Sequence, residues 1–217
     1  MGAIISFINL LFGRHTTSNK IKEPENIDFD YHVPKKTYRS AYFLKKDALC
    51  GHSDIQFDIG CYYFTGSVVG QSYKQSVYWL KKSADQGNVK AQNNLGICYV
   101  IAKGVAQDYS QAIYWFQQAA QQNDDKAQYN LGKCYACGIG AHRDYEKAVG
   151  FFEKAAEQSN AMAQNALGNR YFHGEGVEQD YEKAAYWFKQ AADQGLARAQ
   201  YNLQEAMIRA HKCQTKS

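Results

Sequence analysis

Cys134-Tyr135-Ala136-Cys137, followed by His142, is the spacing in this 217-residue chain that most suggests chemistry. Two thiolates at C-x-x-C spacing beside an imidazole are ligands that zinc accepts, and such a dithiol can also cycle through a disulfide. A structural zinc site needs a second pair of ligands, and the sequence does not offer one. Cys98 stands in the register of Cys134, and a buried free cysteine behaves as a small apolar residue. That reading explains both cysteines without a metal. Other catalytic signatures are missing. There is no G-x-x-x-x-G-K-[ST] phosphate loop, no H-E-x-x-H and no G-x-S-x-G. Gly174-Glu175-Gly176 has no strand before it, so it does not read as a dinucleotide loop. We therefore expect no catalytic residue, no metal and no cofactor.

Gly2 and Ser6 fit the myristoylation pattern M-G-x-x-x-[ST]. They open a mostly apolar stretch, Ala3 to Phe12, that is too short to span a bilayer. No Lys or Arg precedes it and no small-x-small cleavage site follows, which makes a poor secretory signal. Three alternatives stay open for residues 1–36: an arm that caps the fold, a lipid-assisted membrane anchor helped by Lys20, Lys22, Lys35 and Lys36, or a weak signal peptide.

The formal net charge is +4. Residues 1–52 hold eight Lys/Arg against five Asp/Glu, residues 53–196 thirteen against fifteen, and residues 197–217 four against one. The body thus lacks the basic stripe that phosphate binding needs, and nucleic acid is not an expected partner. Both prolines, Pro24 and Pro34, lie near the N-terminus, so the remainder is free to be helical.

What positions the candidate residues is an internal repeat. At an offset of 36 the sequence aligns with itself without a gap, giving units 53–88, 89–124, 125–160 and 161–196. In each unit, apolar residues at i, i+4, i+8 (Ala91, Leu95, Tyr99) predict a first helix. Residues at i, i+3, i+4, i+7, i+8 (Ala112, Trp115, Phe116, Ala119, Ala120) predict a second. Ser72, Asp108, Asp144 and Asp180 are placed to cap the second helices. Gly87, Asn123, Ser159 and Gly195 end them, with Ser159 the poorest fit to a left-handed residue. Gly60, Gly96, Gly132 and Gly168 recur inside the first helices, where glycine costs roughly 1 kcal/mol against alanine. Such recurrence implies a helix packed close against each of them. At the equivalent position of 197–217 stands Gln204, which implies that no second helix covers that half unit. Residues 37–52 match a second helix alone, with Phe43 at the tryptophan position. Ten helices are expected between 37 and 210.

The pattern A-x-x-x-L-G-x-x-Y, then G-x-G-V-x-x-D, then A-x-x-W-F-x-x-A-A-x-x-G resembles the Sel-1-like repeat, and residues 161–196 contain every element of it. Residues 89–124 depart from it at Ala102, where the first turn glycine should stand. The resemblance implies an all-α fold, an α-solenoid of two-helix units related to tetratricopeptide repeats. It also implies a non-enzymatic adaptor or scaffold that binds a protein or peptide. Cysteine-rich secreted relatives pair cysteines between neighbouring helices, and some act on β-lactams. Cys50, Cys61, Cys98, Cys134, Cys137 and Cys213 show no such pairing. Free thiols, a reducing cytoplasmic setting and a monomer are therefore expected, with the β-lactamase-like hydrolase, a membrane-tethered adaptor and secretion as alternatives.

First-helix registers that avoid the apolar face and vary between units are the expected contact positions. We take Phe57, Lys90, Asn93, Ile97, Lys126, Tyr129, Lys133, Asn165, Asn169 and Tyr201 as the candidate partner-binding residues on the inner face of the solenoid. Phe57, Tyr129 and Tyr201 are expected to be exposed anchors, alternating with Asn93 and Asn165.

Overall fold

The computed structural model describes residues 48–67 and 69–215, and among these it contains nine α-helices and no strand. They are α1 (Ser53–Thr65), α2 (Tyr73–Asp85), α3 (Val89–Ile101), α4 (Tyr109–Gln121), α5 (Asp125–Cys137), α6 (Tyr145–Glu157), α7 (Ala161–His173), α8 (Tyr181–Asp193) and α9 (Ala197–Gln214). Nearly all of the expected helix within 37–52, together with the apolar stretch, Gly2 and Phe43, lies outside the described residues.

Each helix packs against the next in the chain, so α1–α2, α3–α4, α5–α6 and α7–α8 are hairpins stacked into a solenoid. The caps fix where helices begin. Ser72, Asp108, Asp144 and Asp180 accept from the backbone N–H three residues on, as expected. Asn88, Asp124 and Asn160 cap first helices in the same way. Second helices close into a left-handed residue at Gly87, Asn123, Ser159 and Gly195, and Ser159 adopts φ 64° despite its side chain. Ala102 also takes a left-handed conformation, φ 54°, at the register that Gly66, Gly138 and Gly174 fill in the other units.

The recurring helix glycines set the spacing within a hairpin. A Cβ on Gly96, Gly132 or Gly168 would come within 2.5–2.7 Å of Phe116, Phe152 or Phe188, and one on Gly60 within 2.8 Å of Leu80. The covering residue always belongs to the second helix of the same unit. Gln204, with no such helix after it among the described residues, is exposed. The later turn glycines have a different task. A side chain on Gly104, Gly140 or Gly176 would run into the backbone of Tyr73, Tyr109 or Tyr145, at the start of the preceding unit's second helix. Glycine therefore spaces helices within a unit and units within the stack.

First helices form the inner layer. Nine of the thirteen residues of α3 are buried, against four of thirteen in α4. The second helices turn one face to solvent, where Tyr78, Tyr114 and Tyr186 stand exposed beside Trp79, Trp115 and Trp187.

Candidate functional site

Glutamines that recur every 36 residues stitch the two layers together. Gln86, Gln122, Gln158 and Gln194, at the ends of the second helices, donate to the Oε1 atoms of Gln56, Gln92, Gln128 and Gln164 at 2.7–2.9 Å. Gln56, Gln92 and Gln164 in turn donate to the carbonyls of Ala48, Ala84 and Ala156. For Gln92 and Gln164 those carbonyls lie in the last turn of the preceding second helix, where they also accept the backbone N–H of Gly87 and Ser159. Gln92 and Gln164 thus each join three helices across two units, whereas Gln128 donates to the Asn123 side chain. The sequence reading missed this ladder although its period is visible, because glutamine reads as a surface residue until both its partners are located.

The inner face differs from expectation at half of the candidate positions. Phe57 (3%), Asn93 (1%), Ile97 (2%), Tyr129 (3%) and Asn165 (5%) are buried, while Tyr201 is 73% exposed. The expected row of exposed anchors is therefore corrected: Phe57 and Tyr129 are packing residues. The reason is the next unit. Asn130 Nδ2 donates to Asn93 Oδ1 at 2.9 Å, and Asn202 Nδ2 to Asn165 Oδ1 at 3.0 Å, so the two row asparagines each meet the residue 37 positions later. Where the row holds the bulky Tyr129, that later residue is Ala166, which packs against the cluster containing Tyr129. At both asparagines of the row an amide faces an amide.

Accessibility rises along the stack. On α1 and α3, Phe57, Cys61, Phe64, Ile97 and Val100 are all buried. From α5 onward Lys126, Lys133, Ala136, Met162, Asn169, Phe172 and Arg198 are half-buried, and Tyr201 is open. Lys90 is exposed at the start of α3. Lys133 Nζ sits over the Tyr129 ring, 5.7 Å from its centroid, where a cation meets the negative face of the ring. Arg198 donates to Met162 Sδ at 2.8 Å, bridging α9 and α7. Asp125 accepts from Asn160 Nδ2 at 2.7 Å, and Glu205 is paired with Arg209 at 2.9 Å.

The two cysteines of the pair differ in exposure. Cys134 is buried, and burial pushes its thiol up to about 12, whereas Cys137 faces solvent. Burial also raises the thiol of Cys98. No group of three or more His, Cys, Asp or Glu side chains placed to hold a metal occurs among the described residues. No helix among them is long and apolar enough to cross a membrane.

Comparison with known proteins agrees with this architecture. The Sel1 repeat pattern matches residues 53–88, 89–124, 125–160 and 161–196. The crystal structure of a protective antigen present in uropathogenic Escherichia coli strains, displaying an SLR fold, is similar at 37% identity and TM-score 0.71, covering 73% of this chain and 34% of that one. A Sel1 repeat protein from Oxalobacter formigenes is similar at 30% identity and TM-score 0.67, covering 70% of this chain and 63% of that one. A sel1 repeat protein from Klebsiella pneumoniae subsp. pneumoniae shares the fold at 23% identity and TM-score 0.51, covering 76% of this chain and 83% of that one. The chain spans about a third of the E. coli protein's length and under two thirds of the Oxalobacter protein's. No curated protein matches the sequence.

Proposed function

The chain belongs to the Sel1 repeat family, whose members generally mediate protein–protein interaction, and on that premise we propose that it is a non-enzymatic scaffold binding a partner through its inner face. The observation that supports this most is the division of labour among first-helix residues. Ala91, Leu95, Gly96 and their counterparts are consumed by stacking, and so are Phe57, Asn93, Ile97, Tyr129 and Asn165. Residues left accessible on the inner layer differ from unit to unit, and information specific to a partner has to reside where units differ. Of the candidate residues, Lys90 and Tyr201 are exposed and Lys126, Lys133 and Asn169 half-buried, and four of these five lie in the C-terminal half.

A solenoid built this way holds its contact surface rigid, so little ordering entropy opposes binding. A photo-crosslinking amino acid placed at Asn169 or Tyr201 should capture a protein in cells of the native host. The same probe on the outer layer at Tyr114 or Tyr186 should not. Capture from the outer positions alone would place the interface on the second helices and overturn the proposal.

A further inference from the structure

Successive first helices meet one residue out of step with the repeat. The Asn93–Asn130 and Asn165–Asn202 contacts each join a residue to the one 37 positions later. One helical turn beyond the register of Asn93 stands Cys61 on α1, and 37 positions after it stands Cys98 on α3. At the period of 36 Cys61 aligns with Ile97, so a comparison of like positions hides the pair. The next pair along, Ile97 and Cys134, holds a single thiol.

The packing of α1 on α3 brings these two cysteines together. Asn94 Nδ2 donates to Cys61 Sγ at 3.8 Å, which sets the Cys61 sulfur directly against α3. Cys98 lies four residues after Asn94, about 6 Å further along the same face of that helix. Cys61 and Cys98 belong to one buried cluster, 2% and 0% exposed, and both are thiols. Burial raises the Cys98 thiol, and the nearby Cys61 raises it further. Thiolate is therefore scarce while α1 and α3 are packed, and exchange has to wait until they separate, during folding or by local opening.

We infer that Cys61 and Cys98 are a redox-sensitive staple, closing into a disulfide between the first two units when a small-molecule disulfide such as oxidised glutathione is supplied. The thiolate of one cysteine attacks a sulfur of the oxidant, breaks its S–S bond and releases one small thiol. The thiolate of the other then attacks the protein sulfur of the mixed disulfide and releases the second. Two electrons pass from the cysteines to the oxidant, and the two protons they lose end on the released thiols. The bond closes the loop 61–98, which contains α2, and so restricts the unfolded chain. Units of a stack are held mainly by their neighbours, so this bond ties unit 53–88 to unit 89–124 against opening.

Peptide mapping by mass spectrometry tests this on the full chain. The protein is refolded from urea in mixtures of reduced and oxidised glutathione, quenched with acid, alkylated and digested without reduction. A peptide pair joined through Cys61 and Cys98 should appear as the oxidised form increases, and dithiothreitol should abolish it. The linked protein should melt at least about 5 °C above the reduced protein by circular dichroism. That gain should vanish in Cys61→Ala and in Cys98→Ala. The triple variant Cys50→Ala, Cys137→Ala, Cys213→Ala, which removes the exposed thiols, should keep both the link and the gain. Should the buried alanine variants fail to fold, the peptide map of the parent chain decides alone. Alkylation of both Cys61 and Cys98 in mixtures that glutathionylate the exposed cysteines would overturn the inference, as would a link from Cys98 to Cys134 instead. A link that lowers the melting midpoint would overturn it too, because a disulfide spans Cα atoms about 4.4–6.8 Å apart and a wider pair would strain the stack.

Discussion

Alanine in place of Gly96 sets two helix effects of similar size against each other. Replacing an interior helix glycine with alanine ordinarily stabilises by about 1 kcal/mol. Here the new Cβ would sit 2.6 Å from Phe116 Cε1 and 3.1 Å from the Ala112 carbonyl oxygen. Phe116 is fully buried, and the carbonyl belongs to the backbone of α4, so neither yields without moving the hairpin. Overpacking of this kind costs about 1–3 kcal/mol. The net expectation is a loss of up to about 2 kcal/mol, and the same holds at Gly132 and Gly168, which face Phe152 and Phe188. At Gly60 the obstacle is Leu80, a more adaptable side chain, and the loss should be smaller. Gln204→Ala, on an exposed surface, should stay within about 0.5 kcal/mol of the parent. Repeat arrays depart from two-state unfolding, so urea titration should be read together with hydrogen exchange of the α3 and α4 amides. A double variant, Gly96→Ala with Phe116→Leu, should recover part of the loss by reproducing the Gly60–Leu80 pairing. If Gly96→Ala raises stability by the full helix-propensity gain, the close approach of α4 is wrong. If Gly96→Leu and Gln204→Leu lower the melting temperature equally, the assignment of α9 to an uncovered half unit fails.

Trp115→Ala should cost about 3–5 kcal/mol, the range for a buried large aromatic, measured by urea unfolding. Easy iodide quenching of Trp115, in a variant retaining only that tryptophan, would contradict its burial. Ala102→Gly should stabilise by up to about 1 kcal/mol, because it relieves a side chain held at positive φ, and an unchanged thermal midpoint would deny that strain. Gln122→Ala should cost about 1–3 kcal/mol by leaving Gln92 Oε1 without its partner, and a neutral result would show that water replaces the bond at no loss. Thiol labelling of the native protein near pH 8 should modify Cys50, Cys137 and Cys213 quickly and Cys98 and Cys134 only after unfolding. Because the folded thiol of Cys134 is raised to about 12 from an ordinary value of 9.0, its contribution to stability is complete below pH 9 and is lost as the pH climbs toward 12. Rapid native labelling of Cys134 would show that α5 is not packed as described.

The repeat, its two helices and nearly all of its boundaries are local features, and the sequence carries them in full. Capping residues act on the backbone three positions away, and apolar spacing declares which side of a helix is covered, so Asp108, Gly96 and Trp115 could be assigned before any coordinates. The family followed from the same local pattern. Tertiary structure decided what each covered or uncovered position touches. Phe57 and Tyr129 lie off the apolar stripe of their own helix and therefore read as free surface, yet they are buried in clusters that join their own second helix to the following unit. That contact depends on how far successive hairpins rotate and shift, a quantity fixed by Gly104, Gly140 and Gly176 against the preceding backbone. The Asn130–Asn93 and Asn202–Asn165 bonds join residues 37 apart. A reading that compares like positions at the repeat period of 36 sees variation there, where the packed solenoid has complementary pairs. The glutamine ladder was legible as periodicity but not as structure, because an amide's worth depends on whether its partners are desolvated with it. The accessible stretch from Lys126 to Tyr201 likewise emerged only once stacking had removed its neighbours from the surface.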